Sequence, residues 1–200
     1  MAKYPELISN FLKFVKINSR SNPKSRTIPS SKRETAFLNM LKDLLSDMGL
    51  TDVHTNEQSA YVFATLPSNL DKKVPTVGFI SHIDTADFNS ENIDPQIIEN
   101  YDGQSIIPLD KDGEFKLDPK VFPSLKKYKG DTLITTDGST LLGADDKAGV
   151  AEIISSIAYL QSNPEIKHGT IKVAFGPDEE IGTRADHFDV NDFGADFAYT

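Results

Sequence analysis

The chain has 200 residues, enough for one substantial hydrophobic core or two small ones, and its 38% hydrophobic and 26% charged residues are those of an ordinary soluble globular protein. Twenty-one Lys and Arg against 30 Asp and Glu leave a net charge of −9, which argues against nucleic acid and anionic membrane surfaces as partners, since both demand a basic face. The absence of cysteine excludes a disulfide scaffold, a thiolate zinc site, an iron–sulfur cluster and a cysteine nucleophile, and it fits a cytoplasmic protein.

Leu7, Ile8, Phe11, Leu12 and Val15, interrupted by Asn10 and Lys13, predict an amphipathic helix from about Tyr4 to Ile17 rather than an apolar signal core. No apolar run approaches the roughly 20 residues that a membrane span needs. Asn18 to Ser31, rich in Ser, Arg, Asn and Pro, reads as a loop. Ser31-Lys-Arg-Glu34 then fits a capping box, with Phe37, Leu38, Met40, Leu41, Leu44, Leu45 and Met48 as the apolar stripe behind it and Gly49 as the stop.

Three strand-like runs follow, at Asp52–Thr55, Tyr61–Leu66 and Thr76–Ser81. From Thr85 to about Gly130 the pattern is weak, as in a long functional loop or a segment carrying small strands. Periodicity returns at Thr132–Thr135 and in a helix from about Asp146 to Leu160, whose apolar face is Val150, Ile153, Ile154, Ile157 and Leu160. Thr170–Phe175 alternates like a strand, a short helix is expected after Ile181, and Ala195–Tyr199 reads as a last strand. Strands alternating with helices predict an α/β fold with a mixed, largely parallel sheet flanked by helices.

Ligands in such sheets bind beyond the carboxyl ends of the strands. Three acidic or histidine-bearing motifs each follow a strand-like run: His82-Ile-Asp84, Gly143-Ala-Asp145-Asp146-Lys147 and Pro177-Asp-Glu179-Glu180. Parallel strands would bring all three to one rim, and a metal site needs ligands from such distant stretches of chain. Singly, each motif also fits a structural role. His82 can be a partly buried strand-end histidine, and Asp145-Asp146 and Glu179-Glu180 can be first-turn helix acids favoured by the macrodipole. In the functional reading, His82 is a ligand, Asp84 orients it, and of two adjacent carboxylates one binds metal while the other stays free as a general base. His54, His168 and His187 sit in polar contexts and read as structural or solvated. Asp110-Lys-Asp112-Gly113-Glu114 evokes a calcium loop, but Phe115 stands where an EF-hand requires Gly. Nucleophile-elbow, P-loop and dinucleotide-binding motifs are absent.

The runs Gly78-Phe-Ile-Ser-His82-Ile-Asp84-Thr85, Thr135 to Gly149 and Pro177-Asp-Glu-Glu-Ile-Gly182 resemble the peptidase T family, bacterial tripeptide aminopeptidases of the dinuclear zinc aminoacylase and carboxypeptidase superfamily. Pro95 to Tyr101 and His187-Phe-Asp-Val190 add further matches. The resemblance implies two zinc ions per subunit, with His82 on the first, Asp145 bridging both, Glu180 on the second, Asp84 orienting His82, and Glu179 as general base. It also implies release of the N-terminal residue from tripeptide substrates, and a cytoplasmic homodimer. Family members continue further, so residues 1–200 are expected to be the N-terminal portion of the catalytic domain. The remaining ligands and a dimerisation domain would then be absent, and Asp196 would precede the next acidic ligand rather than be one. Two other expectations accompany this one: an inactive fragment with an incomplete metal site, and a related zinc carboxypeptidase or aminoacylase.

Overall fold

The capping box at Ser31 forms in full: the Ser31 hydroxyl accepts from the Glu34 N–H, and the Glu34 carboxylate accepts from the Ser31 N–H. It opens helix α2 (Lys32–Asp47), which follows α1 (Leu7–Val15) and buries Phe37, Leu38, Leu41 and Leu45. Helix α1 is shorter than the periodicity predicts, with Tyr4 to Glu6 forming a non-helical entry. The computed structural model describes residues 4–183 and 187–200.

Residues 1–87 and 143–200 make one compact unit and residues 88–142 a second. The first is built on a five-stranded mixed sheet. Its strands are β1 (Thr51–Thr55), β2 (Val62–Leu66), β3 (Val77–His82), β8 (Ile171–Gly176) and β9 (Phe197–Tyr199), in the order β1-β2-β8-β3-β9. β3 runs parallel to both β8 and β9, whereas β2 is antiparallel to β8 and to β1. Helix α3 (Ala144–Ser162) packs on β3 and on α1, and α2 packs on β1, β2 and β8.

The opposite face of the sheet carries an aromatic cluster. Phe63, Ala174 and Ile80 lie side by side in the strand register, and Phe193 of the short helix α4 (Val190–Phe193) packs over them with Tyr61 and Phe188. Phe63 and Phe193 have ring centroids 5.5 Å apart, and Phe188 meets Tyr61 edge-on at 5.0 Å. A side chain at Gly176 would collide with the Tyr61 ring, so the strand end that leads to the acidic motif is kept bare to admit that ring. On the outer edge, Phe197 and Tyr199 of β9 are exposed. Among the described residues, no helix is long and apolar enough to cross a membrane.

The second unit contains the structure that the weak pattern after Thr85 conceals. β4 (Gln96–Ile98) pairs with β7 (Leu133–Thr135), β5 (Ile107–Pro108) pairs with β6 (Lys116–Leu117), and Pro123–Tyr128 forms a 3-10 helix. These strands are two or three residues long, too short to show alternation. Buried Ile93, Tyr101 and Ile107 anchor the unit, and the Tyr101 hydroxyl donates to the Ser105 carbonyl at 2.8 Å. The strand expected at Thr132–Thr135 therefore exists but does not join the main sheet, where both sides of β3 are taken by β8 and β9.

The close fit at Gly176 gives a direct test. Gly176→Ala is expected to destabilise the chain by about 1–3 kcal/mol, the usual cost of overpacking a tight site. Urea unfolding checks it, and a midpoint equal to that of the parent chain would contradict the packing described.

Candidate metal centre

β3 and β8 are parallel and in register, with His82 opposite Gly176, so the segments that continue from them leave the sheet at one rim. The Ile83 N–H still donates to the Gly176 carbonyl at 2.9 Å, which holds the two exits together one residue beyond the strand. His82 ends β3, and Asp84 is fully buried just after it.

Asp145 reaches the same rim by a different route from the one expected. It stands at the start of α3, which lies across β3, rather than at the end of a sheet strand. Gly143 enters the helix with φ +72°, a left-handed turn that suits glycine, and Asp145 and Asp146 depart from helical φ/ψ before the helix becomes regular. Their different backbone angles send the two carboxylates to different tasks. Asp146 turns inward, accepting from the Ser81 hydroxyl at 2.6 Å and from the Gly149 N–H at 3.2 Å. Asp145 is exposed, and its Oδ1 lies 3.0 Å from Nε2 of His82. The first-turn contact thus falls to Asp146, and Asp145 alone of the pair is placed as a candidate ligand.

Glu179 and Glu180 do not open an α-helix, as the sequence suggests. They occupy a single 3-10 turn, Glu179–Ile181, closed by Gly182. That turn faces His82, with Glu179 Oε2 3.8 Å from Nε2. His82, Asp145 and Glu180 each present a ligand atom, and the three atoms lie within 4.8 Å of one another. One imidazole nitrogen and two carboxylate oxygens this close suit a divalent cation such as zinc, which sits about 2 Å from each such donor. The residues present therefore fit the metal that the motifs imply.

Asp84 does more than orient His82. The His82 Nδ1 faces the Asp84 carbonyl at 3.1 Å and its carboxylate at 3.4 Å, which leaves Nε2 aimed at the site. The two carboxylate oxygens also accept from the Glu179 N–H at 2.9 Å and the Glu180 N–H at 3.1 Å. Burial alone would raise the Asp84 pKa, but the His82, Ser21 and Glu179 donors together hold it below the usual carboxylate value. For His82, burial disfavours the proton, yet Asp84, Asp145 and Glu179 outweigh it and raise the pKa from 6.5 to about 9. Glu180 is pushed up, first by burial and then by the surrounding carboxylates, with His82 opposing. This concentration of negative charge around one imidazole is an electrostatic reason for a cation to bind here.

Other supports come from residues that show no motif. The Ser19 hydroxyl donates to the Ile83 carbonyl at 2.6 Å, Ser21 bonds Asp84, and Arg20 pairs with Asp87. Lys147, fully buried in α3, donates to the Ile17 carbonyl at 2.5 Å and lies over the Phe37 ring. Burial lowers its pKa to about 8, against the pull of Asp84. Of the other histidines, His54 bonds Asp192 at 3.1 Å, far along the chain from these motifs, and His168 contacts the Gly169 carbonyl. Asp196, at the entry to β9, accepts from the Thr76 N–H at the entry to β3 at 2.7 Å. Residues 184–186, in the segment where a helix is expected after Ile181, lie outside the described residues.

No family model matches the chain. Comparison with known proteins finds peptidase T from Latilactobacillus sakei 62% identical over 200 residues, covering the whole of this chain and 48% of that protein. Aminopeptidase PepT from Bacillus cereus covers 97% of this chain at 25% identity with a TM-score of 0.68, and a tripeptidase from Staphylococcus aureus covers 97% at 25% with a TM-score of 0.65. The chain spans about half the length of the curated relatives it matches.

The raised pKa of His82 has a consequence for the metal-free chain. Because folding favours the protonated ring, the stabilisation from His82 is complete below its ordinary value of 6.5 and is lost as pH rises through about 9. The difference in urea midpoint between the parent and His82→Asn is expected to be largest near pH 6 and to shrink steadily towards pH 9.5. A difference that stays constant over that range would contradict the geometry around His82.

Proposed function

We propose that this chain, homologous over its whole length to about half of peptidase T, forms the metal-holding part of an aminopeptidase that releases the N-terminal residue of tripeptides. The observation that carries the reading is the meeting of His82, Asp145 and Glu180 at one sheet rim, with Glu179 beside them. In the proposed arrangement His82, Asp145 and Glu180 would hold two zinc ions, with His82 belonging to the first, Glu180 to the second and Asp145 shared between them. Bound there, the metal supplies a Lewis acid that lowers the pKa of water and polarises the peptide carbonyl.

Each protein group then has a defined task. Asp84 keeps the His82 ring in the tautomer that offers Nε2, and it fixes the backbone of the glutamate turn. Glu180 and Asp145 contribute negative charge that neutralises a divalent cation. Glu179 is more exposed than His82, which leaves its carboxylate open to solvent and substrate. As general base it takes a proton from the attacking water, and it then gives that proton to the departing amine.

The test is kinetic and analytical together. In the complete enzyme, Glu179→Gln keeps the shape of the side chain but cannot accept the proton, and turnover of tripeptides is expected to fall by about 10²–10⁴-fold. Zinc content should be unchanged in that variant, whereas His82→Ala should lose zinc and turnover together. A panel of free, N-acetylated and C-amidated tripeptides decides the substrate end, with cleavage of free and amidated peptides expected and none of the acetylated ones. Near-normal turnover in Glu179→Gln would remove Glu179 from the mechanism, and cleavage of acetylated peptides would replace the aminopeptidase reading.

A further inference from the structure

The N-terminus of α2 holds a carboxyl group whose placement exceeds what a helix cap requires. In a capping box the glutamate reaches back to the N-cap N–H, and nothing in that task demands burial. Glu34 is nevertheless fully buried. Its Oε2 accepts from the Ser31 N–H at 2.9 Å and the Ser30 hydroxyl at 2.8 Å, which completes the cap. Its Oε1 is directed elsewhere, to the N–H of Asp178 at 2.9 Å, across 144 residues of sequence.

Asp178 returns the contact. Its carboxylate accepts from the Ser30 N–H at 3.0 and 3.1 Å and is itself buried. Two stretches remote in sequence are thereby cross-stitched, each giving a backbone N–H to the side chain of the other. Asp178 is also in the left-handed region, at φ +61°, which aspartate enters more readily than most residues with a Cβ but still at a cost that hydrogen bonds offset. The residues that follow it are Glu179 and Glu180, whose N–H groups are held from the other side by Asp84.

We propose that Glu34 is a positioning residue for the glutamate turn, holding Asp178 in its left-handed conformation and thereby setting the direction of Glu179 and Glu180. The inference rests on reading those glutamates as base and metal ligand, and it assigns to α2 a role in the site as well as in the core. Glu34 touches neither the ligand atoms nor a substrate; it acts through the backbone. Two carboxyl groups packed together would repel if both were ionised. Burial, and then the bond to and charge of Asp178, raise Glu34 to about 8, while Ser30 and Ser31 oppose the rise. Burial thus favours the neutral form of Glu34, which lessens its repulsion with the neighbouring carboxylate.

The test compares Glu34→Ala, Glu34→Gln and Ser31→Ala in the full chain. Backbone amide exchange at Glu179 and Glu180 and zinc affinity by calorimetry are the readouts. Glu34→Ala is expected to speed exchange at both amides by about tenfold or more and to weaken zinc binding by about 10–100-fold. Glu34→Gln still offers a carbonyl to the Asp178 N–H, while its amide group forfeits the bond from the Ser31 N–H, so it should lower the melting temperature yet keep both readouts within a few-fold of the parent. Ser31→Ala removes the cap from its other side without touching Asp178, so it should lower the melting temperature and leave both readouts unchanged. If Glu34→Ala does not fold, Glu34→Asp, which draws the carboxyl back by one methylene, takes its place. Unchanged exchange in the Ala or Asp variant would overturn the proposal, as would a Ser31→Ala chain that reproduces its effects. Should the parent chain take up no zinc, amide exchange alone decides the role of Glu34.

Discussion

A carboxylate with no access to water must have its charge held by donors, and the candidate site is arranged around one such group. Asp84 receives the N–H groups of Glu179 and Glu180, lies against the His82 ring, and is bonded by Ser21. Its burial makes those bonds obligatory, because an unpaired buried charge would cost more than the site could recover. The same bonds join the two parallel strand exits: the segment after β3 supplies the acceptor and the segment after β8 supplies the donors. The geometry of the candidate ligands therefore follows from satisfying one desolvated charge.

The supports of that arrangement come largely from a stretch with no regular structure of its own. Ser19 and Ser21 bind the segment after β3, and Ser30 binds Asp178 ahead of the glutamate turn. Lys147, from within α3, fastens the start of the stretch through the Ile17 carbonyl. The richness in Ser and Asn that marks residues 18–31 as a loop is also what lets them supply donors to buried carboxylates and carbonyls. Polar loop residues of this kind become part of the interior when each bond is met.

Charge is distributed unevenly between neighbours in sequence. Asp145 and Asp146 are chemically identical and adjacent, yet one faces solvent beside His82 while the other is spent on Ser81 and the first turn of α3. Glu179 and Glu180 likewise differ: Glu180 joins His82 and Asp145, and Glu179 stands to the side. A dyad of like residues at a chain reversal naturally separates into two directions, and in both pairs that separation gives a candidate ligand and a second carboxylate placed elsewhere.

Much was legible in the residues alone. The capping box at Ser31, the apolar stripe of α2, the strand-like runs at 61–66, 76–81 and 170–175 and the choice of His82, Asp145 and Glu180 as candidate ligands all rest on local chemistry or periodicity, which act over a few residues. What the residues could not carry was the partnering across long separations. The short strands of 88–142 lack the length to alternate, and whether Leu133–Thr135 joins the main sheet depends on which edges of β3 are already occupied. Nothing in a Ser-x-x-Glu pattern tells that Glu34 will be buried against Asp178, and nothing in His-x-Asp tells that the aspartate will also hold the glutamate turn. Local sequence determined which side chains can cap, bind or pack. The tertiary fold alone decided which buried carboxylates meet which backbone donors, because that pairing arises only when distant segments are brought into one water-excluded space.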